Sequence, residues 1–190
     1  VNTVAPAITG GTSLGSVLTS TTGTWTGTPT IAYTYQWRRG VSNIIGATSS
    51  TYTLVVADSG AAITCIVTAT NPFGTANATS NVITAQTYTA PVNTVAPAIT
   101  GTAQEGQIVT CSTGTWTGTP TITFAYQWKR NGSNIGSATN STYTLVTADV
   151  SQSITCQVTA TNGVGSANAT SNTITPTAAV DPDAQAFITA

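Results

Sequence analysis

A serine or cysteine nucleophile needs a base beside it, and this 190-residue chain holds three cysteines, Cys65, Cys111 and Cys156, and no histidine. Ser-His-Asp and Cys-His arrangements are thereby excluded. The acids are Asp58, Glu105, Asp149, Asp181 and Asp183. Only Asp58 and Asp149 stand at matching places in a repeat described below, one per copy, and a lone carboxylate does not make the pair that glycoside hydrolysis uses. Zinc loses its commonest nitrogen ligand, and three cysteines divided between two copies cannot close a tetrahedral site. No enzyme, metal or cofactor is expected.

The four basic residues all follow a tryptophan: Arg38 and Arg39 after Trp37, Lys129 and Arg130 after Trp128. One of each pair is expected to bond Asp58 or Asp149 of its own copy, while the other stays solvated and blunts a strand edge. The competing reading is a repeated anion contact, with acidic glycans or with a neighbouring subunit's carboxylates. Trp25 and Trp116 lie in Gly-Thr-Trp-Thr-Gly, where a second tryptophan closing the end of the core is favoured over a ring that stacks on a sugar.

The elements that position these residues are short strands. In Thr121–Arg130 the apolar Ile122, Phe124, Tyr126 and Trp128 alternate with Thr123, Ala125 and Gln127, the period of two of a half-buried strand. The stretch repeats Thr30–Arg39, with Tyr35 and Trp37 at the positions of Tyr126 and Trp128. Each is read as the central strand of a β-sandwich, with Trp37, Trp128, Tyr35 and Tyr126 in the core. A second alternation places Ile154, Cys156, Val158 and Ala160 on one face, which should meet Trp128.

The repeat is long and ungapped. Val1–Gly10 returns as Val92–Gly101, an offset of 91, and the same offset relates Trp25 to Trp116, Tyr52 to Tyr143, Asp58 to Asp149, Cys65 to Cys156 and Asn77 to Asn168. Residues 1–86 and 92–176 are therefore two copies of one domain, joined by a short, semi-stiff linker at 87–91. In the second copy strands are expected near 93–100, 106–113, 121–130, 133–137, 141–146, 153–161 and 166–174, separated by turn residues at sandwich spacing. The joint carries no Asp or Glu, against a calcium-stiffened connection. Residues 177–190 form an extension in which Asp181-Pro182-Asp183 reads as a helix start, implying that another element follows in a longer polypeptide.

Charged residues are 5% of the chain and apolar ones 40%, against roughly 25% charged on average. The apolar content excludes disorder, so the polar surface must be built from Thr, Ser, Asn and Gln. A net charge of −1 supplies no field for nucleic acid or an anionic membrane, and no apolar run approaches the roughly 18 residues of a membrane span. Asn77, Asn131, Asn140 and Asn168 open Asn-x-Ser/Thr triplets, which a Thr- and Ser-rich chain produces by chance.

Cys111, Trp128 and Cys156, with Tyr143, Leu145 and Asp149, resemble the Cys, Trp and Cys core of the immunoglobulin fold. The wording Gly-Thr-Trp-Thr-Gly, Tyr-Gln-Trp, Ser-x-Tyr-Thr-Leu, Ile-Thr-Cys and Val-Thr-Ala-Thr-Asn resembles the Ig-like repeats of tailed-phage virion proteins and of some bacterial surface proteins, over residues 1–175. The resemblance implies an all-β chain of two tandem immunoglobulin-like β-sandwich domains. The chain departs from it at Ile63 and Ile154, which replace the tyrosine-corner residue two places before the second Cys.

The resemblance also implies a disulfide between Cys111 and Cys156. It would close a loop of 45 residues (156 − 111), contributing roughly 4 kcal/mol in the chain-entropy model. Ser20 stands where Cys111 would be in the first copy, so Cys65 is expected to be a free, buried thiol near Trp37. The function implied is structural or adhesive: a multi-copy component of a phage head or tail, partnered by other virion proteins or copies of itself, with host-surface glycans as further ligands. A bacterial cell-surface or secreted stalk, or a glycan-binding module, is the alternative.

Overall fold

The computed structural model describes residues 1–28, 30–119 and 121–180. The expected helix start at Asp181 lies outside them. The chain divides into two compact units, Val1–Thr89 and Ala90–Ala190, and apart from two 3-10 turns, Val56–Asp58 and Thr147–Asp149, every regular element described is a strand.

In the second unit, four antiparallel strands lie in the order Ser133–Asn134, Thr123–Arg130, Ile154–Thr161, Ser166–Thr170. Three more form a second sheet in the order Ile99–Thr100, Ile108–Cys111, Thr142–Thr144. The core lies between the two sheets, where Trp128, Ile154, Cys156 and Val158 meet Ile99, Val109, Cys111 and Leu145. This is an immunoglobulin-like β-sandwich. The first unit repeats it: Ser42–Asn43, Ala32–Arg39 and Ala62–Asn71 lie in one sheet, with Gly74–Thr79 and Ile83–Thr84 both pairing with Ala62–Asn71, and Ile8–Thr9, Val17–Ser20 and Thr51–Thr53 form the other. Trp37, Leu18, Leu54, Ile63, Cys65 and Val67 are buried there.

The alternating face of Ile154–Thr161 meets Trp128 as expected, with Trp128 directly opposite Cys156 and all four inward residues fully buried. Along Thr123–Arg130 burial is graded. Trp128 is 0% exposed, Tyr126 is half-buried like Tyr35, and Phe124 is 39% exposed. Phe124 lies outside the buried core cluster and stands beside Trp116, at 6.3 Å between ring centres.

The expected strand 93–100 is two strands. Val92–Val95 pairs with Thr115–Thr117, and Ile99–Thr100 pairs with Ile108–Cys111. Pro97 falls between them, lacking the N–H a continuous ladder needs. Gly114 sits against this break with φ +74°, and a side-chain carbon there would lie 2.3 Å from the Val95 carbonyl oxygen. No other residue type fits that approach. The partner strand Thr115–Thr117, which carries Trp116, was not among the expected strands, and strand 166–174 ends at Thr170.

The last residue of the first copy, Gln86, and residues expected as linker and extension are tied to the units. Gln86 N–H donates to Thr12 O at 2.8 Å. Tyr88 is buried, with its N–H on Ser59 Oγ at 2.7 Å and its hydroxyl on Thr12 O at 3.1 Å. At the matching place in the second unit, Thr177 forms a parallel bridge to Gln104, so that sandwich runs past residue 176.

Candidate functional site

The chemistry-bearing residues gather at one place in each unit. The 3-10 turn Val56–Asp58 carries Asp58 under the sheet, and the central strand delivers Arg39 from its last position. Arg39 Nε and Nη2 both donate to Asp58 Oδ1 at 2.7 Å. The Tyr52 hydroxyl and the Val55 N–H donate to Oδ2, each at 2.8 Å. The second unit repeats the set: Arg130 at 2.7 Å, the Tyr143 hydroxyl at 2.9 Å and Val146 N–H at 2.8 Å, all on Asp149.

Both aspartates are 0% exposed. A carboxylate offers about four acceptor positions, and here four donors take them. Neither Asp58 nor Asp149 has a lone pair left for a substrate, a metal or an attacking water. Tyr52 stacks on Trp37 with ring centres 5.6 Å apart, and burial, followed by its bond to Asp58, pushes its hydroxyl up to about 12. Tyr143 is raised for the same reasons. Among the described residues, no group of three or more His, Cys, Asp or Glu side chains is placed to hold a metal ion.

Arg39 and Arg130 thus take the structural role expected for one base of each pair. Arg38 is the other base of its pair. Its Nη2 donates to the Val41 carbonyl across the following turn, and the side chain is half-buried. Lys129 is also half-buried. The side chains on the repeated aspartate were only partly legible beforehand. Tyr52 and Tyr143 were missed as ligands, although each stands six residues before its aspartate and so reaches back to it across the turn.

Cys111 and Cys156 are both buried, and the structure brings their thiols into hydrogen-bonding contact. The expected disulfide is not formed. Cys111 Sγ donates to Ser112 O at 3.3 Å, and the bond to Cys111, with burial, raises Cys156 well above an ordinary thiol. In this dithiol each sulfur has a polar neighbour inside the core. Cys65 is a buried thiol whose counterpart of Cys111 is the Ser20 hydroxyl, and burial pushes its proton affinity up as well.

Trp25 and Trp116 are half-buried. Each indole N–H donates at 2.7 Å to a carbonyl three residues back, Thr22 O or Thr113 O, and Trp116 packs against the main core. The rings close the ends of the sandwiches, and their one polar atom is already used.

No family model matches the chain, and no curated protein matches it. Solved structures do. Three N-terminal domains of the bacteriophage RB49 Highly Immunogenic Outer Capsid protein align over 91% of this chain and 59% of theirs, at 18% identity and TM-score 0.45. An I-band fragment of titin aligns over 92% of this chain and 66% of its own, at 16% identity and TM-score 0.33. Extracellular domains of Drosophila OTK align over 89% and 57%, at 17% identity and TM-score 0.35. The chain therefore spans under two thirds of each of these fragments, and the likeness is one of fold.

Proposed function

We propose that this chain is a non-enzymatic structural and adhesive protein that presents tandem Ig-like modules on the surface of a phage particle. The observation that carries the reading is the fate of the repeated charges: in both units the aspartate is buried and saturated by its own arginine, tyrosine and backbone. The groups able to do chemistry are consumed in holding the sandwich. What each unit offers outward is a surface that carries few charges, built from Thr, Ser and Asn together with exposed apolar side chains such as Ile45, Phe73 and Ile108.

The virion setting is supported by the motif wording that both units share and by a fold also found in an outer capsid protein. Its mechanism is mechanical: stiff modules project a polar face, flanking segments attach it, and many copies per particle turn weak contacts into avidity. Other virion proteins, or further copies of this chain, are the partners so implied, with host glycans as ligands of the outward face.

The test is peptide mass spectrometry of native material containing this sequence. The expected result is a polypeptide that co-purifies with capsid or tail proteins through density separation. A polypeptide carrying a wall-sorting or membrane-anchoring segment and fractionating with bacterial envelopes would replace the virion reading with a cell-surface stalk.

A further inference from the structure

In each unit the smaller sheet ends on a strand of the same sequence, Thr51–Thr53 within Ser50-Thr51-Tyr52-Thr53-Leu54 and Thr142–Thr144 within Ser141-Thr142-Tyr143-Thr144-Leu145. Successive residues of an antiparallel strand turn their N–H and C=O to opposite sides. Ser20 N–H donates to Ser50 O at 2.8 Å and Leu54 N–H to Ser16 O at 2.9 Å, so Thr51 and Thr53, lying between, direct theirs away from Val17–Ser20. Cys111 N–H on Ser141 O at 2.8 Å and Leu145 N–H on Gln107 O at 2.9 Å set Thr142 and Thr144 the same way. No described strand pairs with that side. It opens onto a groove of about 310 Å3 beside residues 44–49, or about 370 Å3 beside residues 136–140.

The opposite edge of the same sheet is closed. Asn81 Oδ1 accepts the Ile8 N–H at 2.7 Å and its Nδ2 donates to Ile8 O at 3.1 Å, while Asn172 Oδ1 accepts the Ile99 N–H at 2.7 Å. A side-chain amide there stands in for a neighbouring strand. The Thr51–Thr53 edge has no such closure, and neither pentapeptide contains a proline or a charge, the usual guards against edge pairing. Its outer face is threonine. Thr9, Thr19 and Thr51 form one row across the first sheet and Thr100, Thr110 and Thr142 the matching row in the second, all of them exposed.

We propose that these edges are the surfaces through which copies of this chain join, Thr51–Thr53 or Thr142–Thr144 of one copy adding antiparallel to the same segment of a second. The segment is complementary to itself. Placed antiparallel about its tyrosine, Thr51 faces Thr53 of the second copy, and both are residues whose N–H and C=O point outward, so each such pair exchanges both of its backbone hydrogen bonds. The contact is isologous, extends the row of threonines into cross-strand neighbours, and sets no charge against another. A joint so short is weak, but an edge in each unit and many copies in one place give avidity. The inference supplies the multi-copy reading above with its contact surface and rests on that reading.

Sedimentation velocity of the purified chain, from micromolar to millimolar concentration, is the test. The parent is expected to associate beyond pairs as concentration rises. Thr53→Lys or Thr144→Lys alone should stop at pairs, and the two together should stay monomeric with both unfolding midpoints unchanged, because these side chains are exposed. Thr53→Pro with Thr144→Pro, which removes an outward N–H and no bond of the existing ladder, should be monomeric as well. Thr9→Lys with Thr100→Lys puts the same charge on the closed edge and should associate like the parent. A parent that is monomeric at millimolar concentration, edge variants that associate as the parent does, or an equal loss in the closed-edge variant would overturn the proposal. So would acetyl-Ser-Thr-Tyr-Thr-Leu-amide shifting the Thr51 and Thr53 amide resonances of a parent that does not self-associate, by making the occupant a separate strand. A monomeric chain that still co-purifies with capsid or tail proteins would sink this inference and leave the proposed function standing.

Discussion

Asp149 makes more interactions than any other carboxylate among the described residues of its unit, and its removal strands several partners at once. Arg130 loses its counter-ion, and the Tyr143 hydroxyl and Val146 N–H lose their acceptor. Breaking a buried pair costs about 3–5 kcal/mol. Because the Arg130 side chain is 30% exposed and water can reach it, Asp149→Ala is expected at the lower end of that range, measured as a lowered denaturant midpoint. The tyrosine gives a pH test with a definite sign. Tyr52 titrates near 12 in the folded protein against 10 when unfolded, so the folded state holds this proton more tightly. Its contribution is complete below pH 10 and is lost as pH rises from 10 to about 12. Unfolding free energy of the first unit should therefore fall through that window, together with the rise of tyrosinate absorbance. Tyr52→Phe should flatten the fall while costing about 1 kcal/mol at neutral pH for the lost hydrogen bond. A fall of the same size in Tyr52→Phe would show that other groups control alkaline unfolding.

At the scale of the strand, the two units form a controlled comparison, because Cys111 opposite Cys156 in one is Ser20 opposite Cys65 in the other. Oxidising the thiol pair should stabilise the second unit by up to roughly 4 kcal/mol and leave the first unchanged, read as two unfolding midpoints with and without reductant. Ser20→Cys should give the first unit the same response, since Ser20 is buried against Cys65; an absent response in that variant would mean that the strands hold the sulfurs too far apart to bond. The strands that carry these residues were legible because period-two alternation reports which way a side chain points. Thus Ile154, Cys156, Val158 and Trp128 could be assigned to one core. Alternation does not report depth of burial: Phe124 belongs to the pattern and yet is 39% exposed. Nor does it reveal a change of partner within one run: Val92–Thr100 keeps strand-like composition across Pro97 while its two halves join different sheets. The Arg–Asp part of the buried cluster could be read from charges recurring at the repeat offset. Its tyrosine could not, because the link crosses a 3-10 turn and has no periodic signature.

For the molecule as a whole, the scarcity of charge makes ionic strength a discriminating variable. Two ion pairs join described residues, Arg39–Asp58 and Arg130–Asp149, each at 2.7 Å with a fully buried aspartate. Raising salt to about 1 M shortens the Debye length to about 3 Å, but ions cannot enter between groups in contact and out of water. Both unfolding midpoints should consequently move little between low and molar sodium chloride. The same argument extends to attachment. If the chain is the particle component proposed above and its outward face binds through Thr, Asn and Ser, it should remain on the particle through a molar-salt wash, because hydrogen bonds and apolar contacts do not depend on counter-ions. If the half-buried Arg38 and Lys129 instead contact acidic glycans or a neighbour's carboxylates, the protein should be released by salt, and Lys129→Gln should release it at low salt. Retention by both the parent and Lys129→Gln in molar salt is the expected outcome, and it would assign adhesion to the uncharged surface. Release of both would return the basic pairs to the role of anion contact, with Arg39 and Arg130 still needed inside each sandwich.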